Sequence, residues 1–245
     1  MTRSEIRTIV RKRLGETTAA FWTDTELNTY INLGCKDISW RLKCLRDNDT
    51  IAVASCDANT DAAVSNEFVI STNLTNCYAI NEVYFRNEDK DYIRMIPTTR
   101  EELDIIDSAW QSLVGWTYTN TTSGVVTYNY ESQTSEPTHY YWDREEDVFG
   151  VYPPPDDDND GGICKIYFSK EHIDLSSDGA SPQLPSGVHL AVIDYSVYCG
   201  LEDRGWGDKA NDVLNKYTMK LKDYTTEKKK EREDDSIIMK PIRNL

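Results

Sequence analysis

The chain has 245 residues, 39% hydrophobic and 28% charged, which suits one large or two small water-soluble domains. Its 27 basic and 42 acidic side chains leave a net charge of −15. That counts against nucleic-acid affinity through phosphate contacts, but not against a wall that nucleic acid slides past. The six Cys show no C-x-x-C spacing, and the basic, amphipathic start has no apolar leader core. No apolar run approaches the ~18 residues of a membrane span, so a reducing cytoplasm and small core cysteines are expected.

Thr2 and Glu5 have capping-box spacing, and Ile6, Ile9, Val10 and Leu14 mark one face of a short helix that Gly15 stops. Thr23 and Glu26 repeat the box, with Trp22 placed to staple onto Leu27. Leu27, Tyr30, Ile31, Gly34, Ile38, Leu42 and Leu45 then predict a helix over 24–45, and Gly34-Cys35 would let another helix come close.

From 49 to 71 the chain is rich in Thr, Ser, Asn, Asp and Ala and reads as weak, turn-rich strands. Residues 79–85 and 92–96 read as paired strands about a polar turn. Thr99 and Glu102 open a third helix, with Leu103, Ile106 and Trp110 on its apolar side. Residues 117–136 are a loop or a surface hairpin. Residues 139–142, 148–152 and 163–168 predict a three-stranded antiparallel meander. The helical pattern returns with Val188, Ala191, Val192, Tyr195 and Cys199. A tight turn at Gly205-Trp206-Gly207 leads to a last helix carrying Ala210, Val213, Leu214, Tyr217, Leu221 and Tyr224. A short link between helices favours antiparallel packing.

The predicted fold is α+β. About four helices from both termini (1–48 and 184–230) form a body, with Trp22, Leu27, Ile31, Val192, Leu214 and Tyr217 as its packing residues. Residues 49–183 form an inserted antiparallel β-rich region. Residues 231–245 form an extended tail.

No constellation makes a convincing active site. Asp156, Asp158, Asp160 and Gly161 match half of a calcium loop, but the expected bidentate acid falls on Tyr167. His139, His172 and His189 have no metal-ligand spacing, and no nucleophile signature accompanies His189 and Asp194. Asp143, Glu145, Glu146 and Asp147 are adjacent in a turn, whereas glycosidase carboxylates usually face each other across a cleft. No phosphate-binding Gly-rich loop occurs. Neither metal nor cofactor is expected. Residues 227–235 are almost all charged, with Lys228, Lys229 and Lys230 well placed for a helix C-terminus. The apolar end S-I-I-M-K-P-I-R-N-L follows, which points to docking.

Four stretches in order carry a resemblance. The first is F-W-T-D-T-E-L-N-T-Y-I-N over 21–32, close to W-[ST]-D-x-x-L-x-x-x-I-N. The second is V-F-G-V-Y-P-P-P-D over 148–156, the third the strand with Ile166, Tyr167 and Phe168, and the fourth the helix pair over 184–224. Together they resemble the head-to-tail adaptor proteins of tailed bacteriophages, especially short-tailed ones, also described as head-completion or tail-tubular proteins. Residues 49–136 match no part of that pattern.

The resemblance implies a structural virion protein and no enzyme. It implies a homo-oligomeric ring, typically dodecameric, between the portal protein and a tail or nozzle protein. Double-stranded DNA would pass through without specific binding, with assembly in the host cytoplasm and no membrane contact. The portal-binding residues would be Ile237, Ile238, Met239, Pro241, Ile242 and Leu245. Two other readings stand beside it. One is a cell-wall glycan hydrolase using Asp143, Glu145 or Glu146. The other is a cellular protein-binding module with an amphipathic C-terminal helix.

Overall fold

The computed structural model describes residues 1–16, 21–53, 67–70, 74–86, 91–106, 136–153, 155 and 162–238, with backbone alone for 67–69 and 231–238. In chain order its elements are α1 (Arg3–Leu14), α2 (Asp24–Leu42), β1 (Arg46–Ala52), β2 (Glu67–Val69), β3 (Cys77–Arg86), β4 (Ile93–Arg94) and β5 (Ile96–Thr98). Then come α3 (Arg100–Ile106), β6 (His139–Asp143), β7 (Val148–Tyr152), β8 (Ile163–Lys170), α4 (His189–Glu202) and α5 (Gly207–Ile238). The α+β class is as expected. Two compact units are built from them, Met1–Leu45 with Glu171–Leu245, and Arg46–Lys170.

In the helical unit, capping chemistry starts the first two helices where the sequence places it. The Glu5 N–H donates to Thr2 Oγ1 at 3.3 Å and the Thr2 N–H to Glu5 Oε2 at 2.9 Å. The corresponding Thr23–Glu26 bonds are 3.2 and 2.7 Å. Gly15 ends α1 in the left-handed region, and Lys43 ends α2 at φ 45°. The second helix thus stops at Leu42, short of the predicted end, while Leu45 still reaches the core.

One core joins α1, α2, α4 and α5. It contains Ile6, Val10, Trp22, Leu27, Ile31, Ile38, Val192, Val197, Tyr217 and Leu221. α2 and α4 meet at Gly34, where a Cβ would lie 3.2 Å from Tyr195 Cδ1 and 3.4 Å from the Val192 carbonyl oxygen. The missing side chain allows that approach. The segment returning from β8 lies along α2, with its His172 N–H donating to Ser39 Oγ at 3.4 Å and its Leu175 N–H to Asn32 Oδ1 at 3.0 Å.

Among the described residues, the other unit holds two four-stranded sheets, ordered β1-β8-β3-β4 and β2-β7-β6-β5. Their shared core includes Ile51, Val83, Phe85, Tyr140, Phe149, Val151, Cys164, Ile166 and Phe168. β6 is covered on both faces: Tyr140 enters this core, and Tyr141 on the opposite face packs with Leu103 of α3.

The meander expectation fails at its third strand. β6 and β7 pair antiparallel, but β8 crosses to the other sheet and runs between β1 and β3. There Cys164, Ile166 and Phe168 share a buried core with Ile51 and Val83 of the neighbouring strands. The region is not wholly antiparallel either, because β5 pairs parallel to β6. α3 lies in the long connection between these strands, and such a crossover is what parallel pairing requires. Thr99 and Glu102 cap α3 as expected, with bonds of 3.2 and 3.1 Å. Leu103 is buried, but Ile106 is exposed rather than apolar-side packing. Trp110 and nearly all of 117–136 lie outside the described residues.

Candidate assembly interface

α5 is one helix with two environments. Up to Tyr224 it belongs to the body: Ala210, Tyr217 and Leu221 are buried, and Val213, Leu214 and Tyr224 are half-buried against the core. Tyr217 packs edge-on against Tyr195, with centroids 5.3 Å apart, and its hydroxyl donates to Asp37. Burial and that carboxylate push the phenol well above its ordinary range. From Thr225 to Lys230 every residue is exposed.

The backbone nevertheless stays helical to Ile238. At 1.5 Å per residue, α5 is about 48 Å long. The extended tail expected from residue 231 therefore does not begin there. Glu, Lys and Arg are good helix formers, and no Gly or Pro interrupts the run before Pro241. Of the residues expected to bind a portal, Ile237 and Ile238 are in the helix. Met239, Pro241, Ile242 and Leu245 lie outside the described residues. Of the expected body-packing residues, Trp22, Leu27, Ile31, Val192 and Tyr217 are buried together, with Leu214 at their edge.

The groups considered for chemistry are tied into the fold. Arg100 of α3 pairs with Asp143 at 3.4 Å and with Glu146. Asp143 Oδ1 also accepts the N–H groups of Glu145 and Glu146 at 3.0 and 3.1 Å, closing a turn. His189 Nε2 lies 3.0 Å from the Leu184 carbonyl oxygen, which can only accept, so that nitrogen carries the proton. His172 Nε2 accepts the Gln183 N–H at 3.0 Å, and burial lowers the affinity of the ring for a proton. The Asp156–Gly161 loop lies outside the described residues. Among the described residues no cluster of His, Cys, Asp or Glu is arranged to hold a metal ion. Nor is any helix among them long and apolar enough to cross a membrane. Five free cysteines are described, and burial pushes the Cys35, Cys164 and Cys199 thiols up to about 12, which keeps them unreactive near neutral pH.

A groove of about 630 Å³ opens where the end of α1 meets α4 and α5. Leu14, Val197, Leu201 and Val213 contribute apolar surface, and Arg13, Lys209, Lys216 and Lys220 contribute cations. Asp194 is buried there, paired with Arg13 from α1 and Lys220 from α5. One carboxylate thus ties three helices. The nearby helix junction is aromatic: Trp22 and Trp206 lie 6.4 Å apart, Arg204 sits 5.6 Å over Trp22, and Lys209 sits 5.2 Å over Trp206. Sequence reasoning on core positions overlooked this groove. The signal was present in Lys209, Lys216 and Lys220, spaced so that they fall on one side of a helix.

The described residues thus make a helical unit from both chain ends and a second unit with two sheets. The family model described as SU10 adaptor protein matches residues 1–242, and the chain belongs to that family. It is a bacteriophage adaptor, a structural protein of the virion, and its family is not a known enzyme family. No curated protein sequence matches the chain.

Proposed function

We propose that this adaptor forms a homo-oligomeric ring in the neck of the virion. The ring joins the capsid portal to a tail or nozzle protein and extends the DNA-exit channel. The resemblance implies a dodecamer, assembled in the host cytoplasm. The supporting observation is the second half of α5, which is exposed from Thr225 to Lys230 and helical to Ile238, directly before the last apolar residues of the sequence. The net charge of −15 suits a channel protein, since an acidic wall repels the phosphate backbone.

Ile237, Ile238, Met239, Ile242 and Leu245 each contribute roughly 1.5–3 kcal/mol on full burial in a portal. Ordering the segment costs about 1–2 kcal/mol per residue. The helix to Ile238 reduces that cost, because part of the segment is already ordered. A single tail binds weakly, and a ring presenting many copies holds through effective concentration.

Deleting residues 236–245 tests the proposal. The expected product is a folded chain that immobilised portal protein no longer captures. Portal capture equal to that of the full chain refutes the docking role.

A further inference from the structure

We propose that the groove between α1, α4 and α5 receives the outer face of α2 from a second copy of this chain, joining helical units head to tail. This rests on the ring reading above and names the surfaces that would build it.

The groove is cationic in an acidic protein. Arg13, Lys209, Lys216 and Lys220 stand against two acids, Asp194 and Asp212, while the whole chain carries −15. Its apolar lining calls for an apolar insert, and its cations call for acids around that insert. At about 630 Å³ it is in the size range of pockets that enclose a drug-sized ligand, ample for two large side chains.

The outer face of α2 has the matching composition. Leu33 and Trp40, two turns apart on one side of the helix, are each 46% exposed. They point away from the buried set of Leu27, Ile31, Gly34 and Ile38. Beside them, the segment laid along α2 brings Ile173, 54% exposed. Glu171 and Asp174 flank it and pair with Lys36 at 3.4 and 3.1 Å, two acids to one cation. Around Ile173 the sign is thus opposite to that of the groove.

The two surfaces lie on different faces of the unit. On α4, Asp194, Val197 and Leu201 line the groove, whereas Val192 and Tyr195 meet α2 at Gly34. At 3.6 residues per turn these two faces of α4 are about 160° apart. α2 therefore sits across α4 from the groove, and Leu33 and Trp40 lie about 100–120° around α2 from Gly34, clear of the contact with α4. Complementary patches on different faces of one body make a heterologous contact, which closes into a ring or runs on as a filament.

The test blocks each surface separately in the full chain. Val213→Arg fills the groove. Lys209→Glu with Lys216→Glu reverses charge at exposed positions and serves if the first variant fails to fold. Leu33→Lys with Trp40→Lys blocks the other surface. Sedimentation and native mass spectrometry should show self-association of the unaltered chain, weakened about tenfold or more in each blocked variant. A one-to-one mixture of a groove-blocked and an α2-blocked chain should form pairs and grow no further. Carbodiimide treatment of mixed isotope-labelled copies should link Lys209 or Lys216 of one to Glu171 or Asp174 of another. The proposal is overturned if the mixture does not pair, if blocked chains associate like the unaltered one, or if such links are absent both free and on the portal. Portal capture of the same chains separates the two readings. Capture without these links overturns only the surface assignment, and links without capture overturn only the portal reading.

Discussion

The two halves of α5 share one backbone and differ in what touches it. The half from Gly207 to Tyr224 buries Ala210, Tyr217 and Leu221 and carries the tyrosine that reaches Asp37 on α2. The half beyond is exposed at every residue through Lys230 and is helical by its own composition. An isolated helix shorter than ~12–15 residues is marginal in water, because nucleation is costly. The packed half supplies the nucleus and the projecting half propagates from it. The buried contacts described for α5 therefore lie in the first half, while the second half is exposed through Lys230.

Substitutions in the two halves should separate these roles. Tyr217→Ala removes a buried ring and a hydrogen bond to a carboxylate, at an expected cost of about 3–5 kcal/mol. Replacing Lys228, Lys229 and Lys230 with Ala should stay within about 0.5 kcal/mol per site. Denaturant unfolding of both variants measures the contrast, and equal losses would mean that the projecting half packs on something. Gly34→Leu comes next, at about 1–3 kcal/mol from overpacking against Tyr195. Because Tyr195 also touches Tyr217, this variant should loosen the first half of α5 and leave the second unchanged. Amide exchange along the helix would show it.

What was legible in the sequence follows the same division between local and long-range physics. Thr2, Thr23 and Thr99 are capping signals complete within four residues, and all three operate where read. Trp22, Leu27, Ile31, Val192 and Tyr217 were readable because one face of a helix in a bundle has one fate. β8 was misplaced because alternation says that a strand has an inner face, but not which sheet owns it. The deciding partners, Ile51 and Val83, are far away in sequence. The end of α5 was missed for another reason. A charged run reads as a spacer when only tertiary contacts are counted, although its residues favour helix by themselves. The Lys209, Lys216 and Lys220 stripe was visible, but its meaning depends on Asp194 and Arg13 from other helices.

Two titrations separate the body from its projecting helix more finely, because both groups lie in the body. Burial lowers the proton affinity of His172, so the unfolded chain binds that proton more readily than the folded one. The contribution is fully present above the ordinary value of 6.5 and is lost as pH falls through and below it. The slope cannot exceed about 1.4 kcal/mol per pH unit for one proton. His172→Gln keeps an acceptor for the Gln183 N–H and should flatten that part of the stability profile. An unchanged slope between pH 7 and 5 would assign the titration elsewhere.

The smallest effect should come from Asp178, which holds the loop after β8 against the start of α1. Arg7 donates to both its carboxylate oxygens at 3.0 Å, and Arg3 donates to one at 2.8 Å. These hydrogen bonds hold the carboxyl down to about 2, against an ordinary value of 3.8. The sign is opposite to that of a group stabilised by protonation. The contribution is present above 3.8 and is lost as pH falls toward about 2. The carboxylate is open to solvent, so salt should weaken these bridges. Asp178→Asn should remove the part of the acid limb between those values, while added salt should shrink it in the unaltered chain. The backbone bonds from Arg3 N to the Ala180 oxygen, 2.8 Å, and from Ser4 N to the Asp178 oxygen, 3.1 Å, do not titrate. The variant should therefore keep the loop docked at neutral pH. A loop that became protease-sensitive at pH 7 in Asp178→Asn would show that the charges, rather than the backbone bonds, hold it.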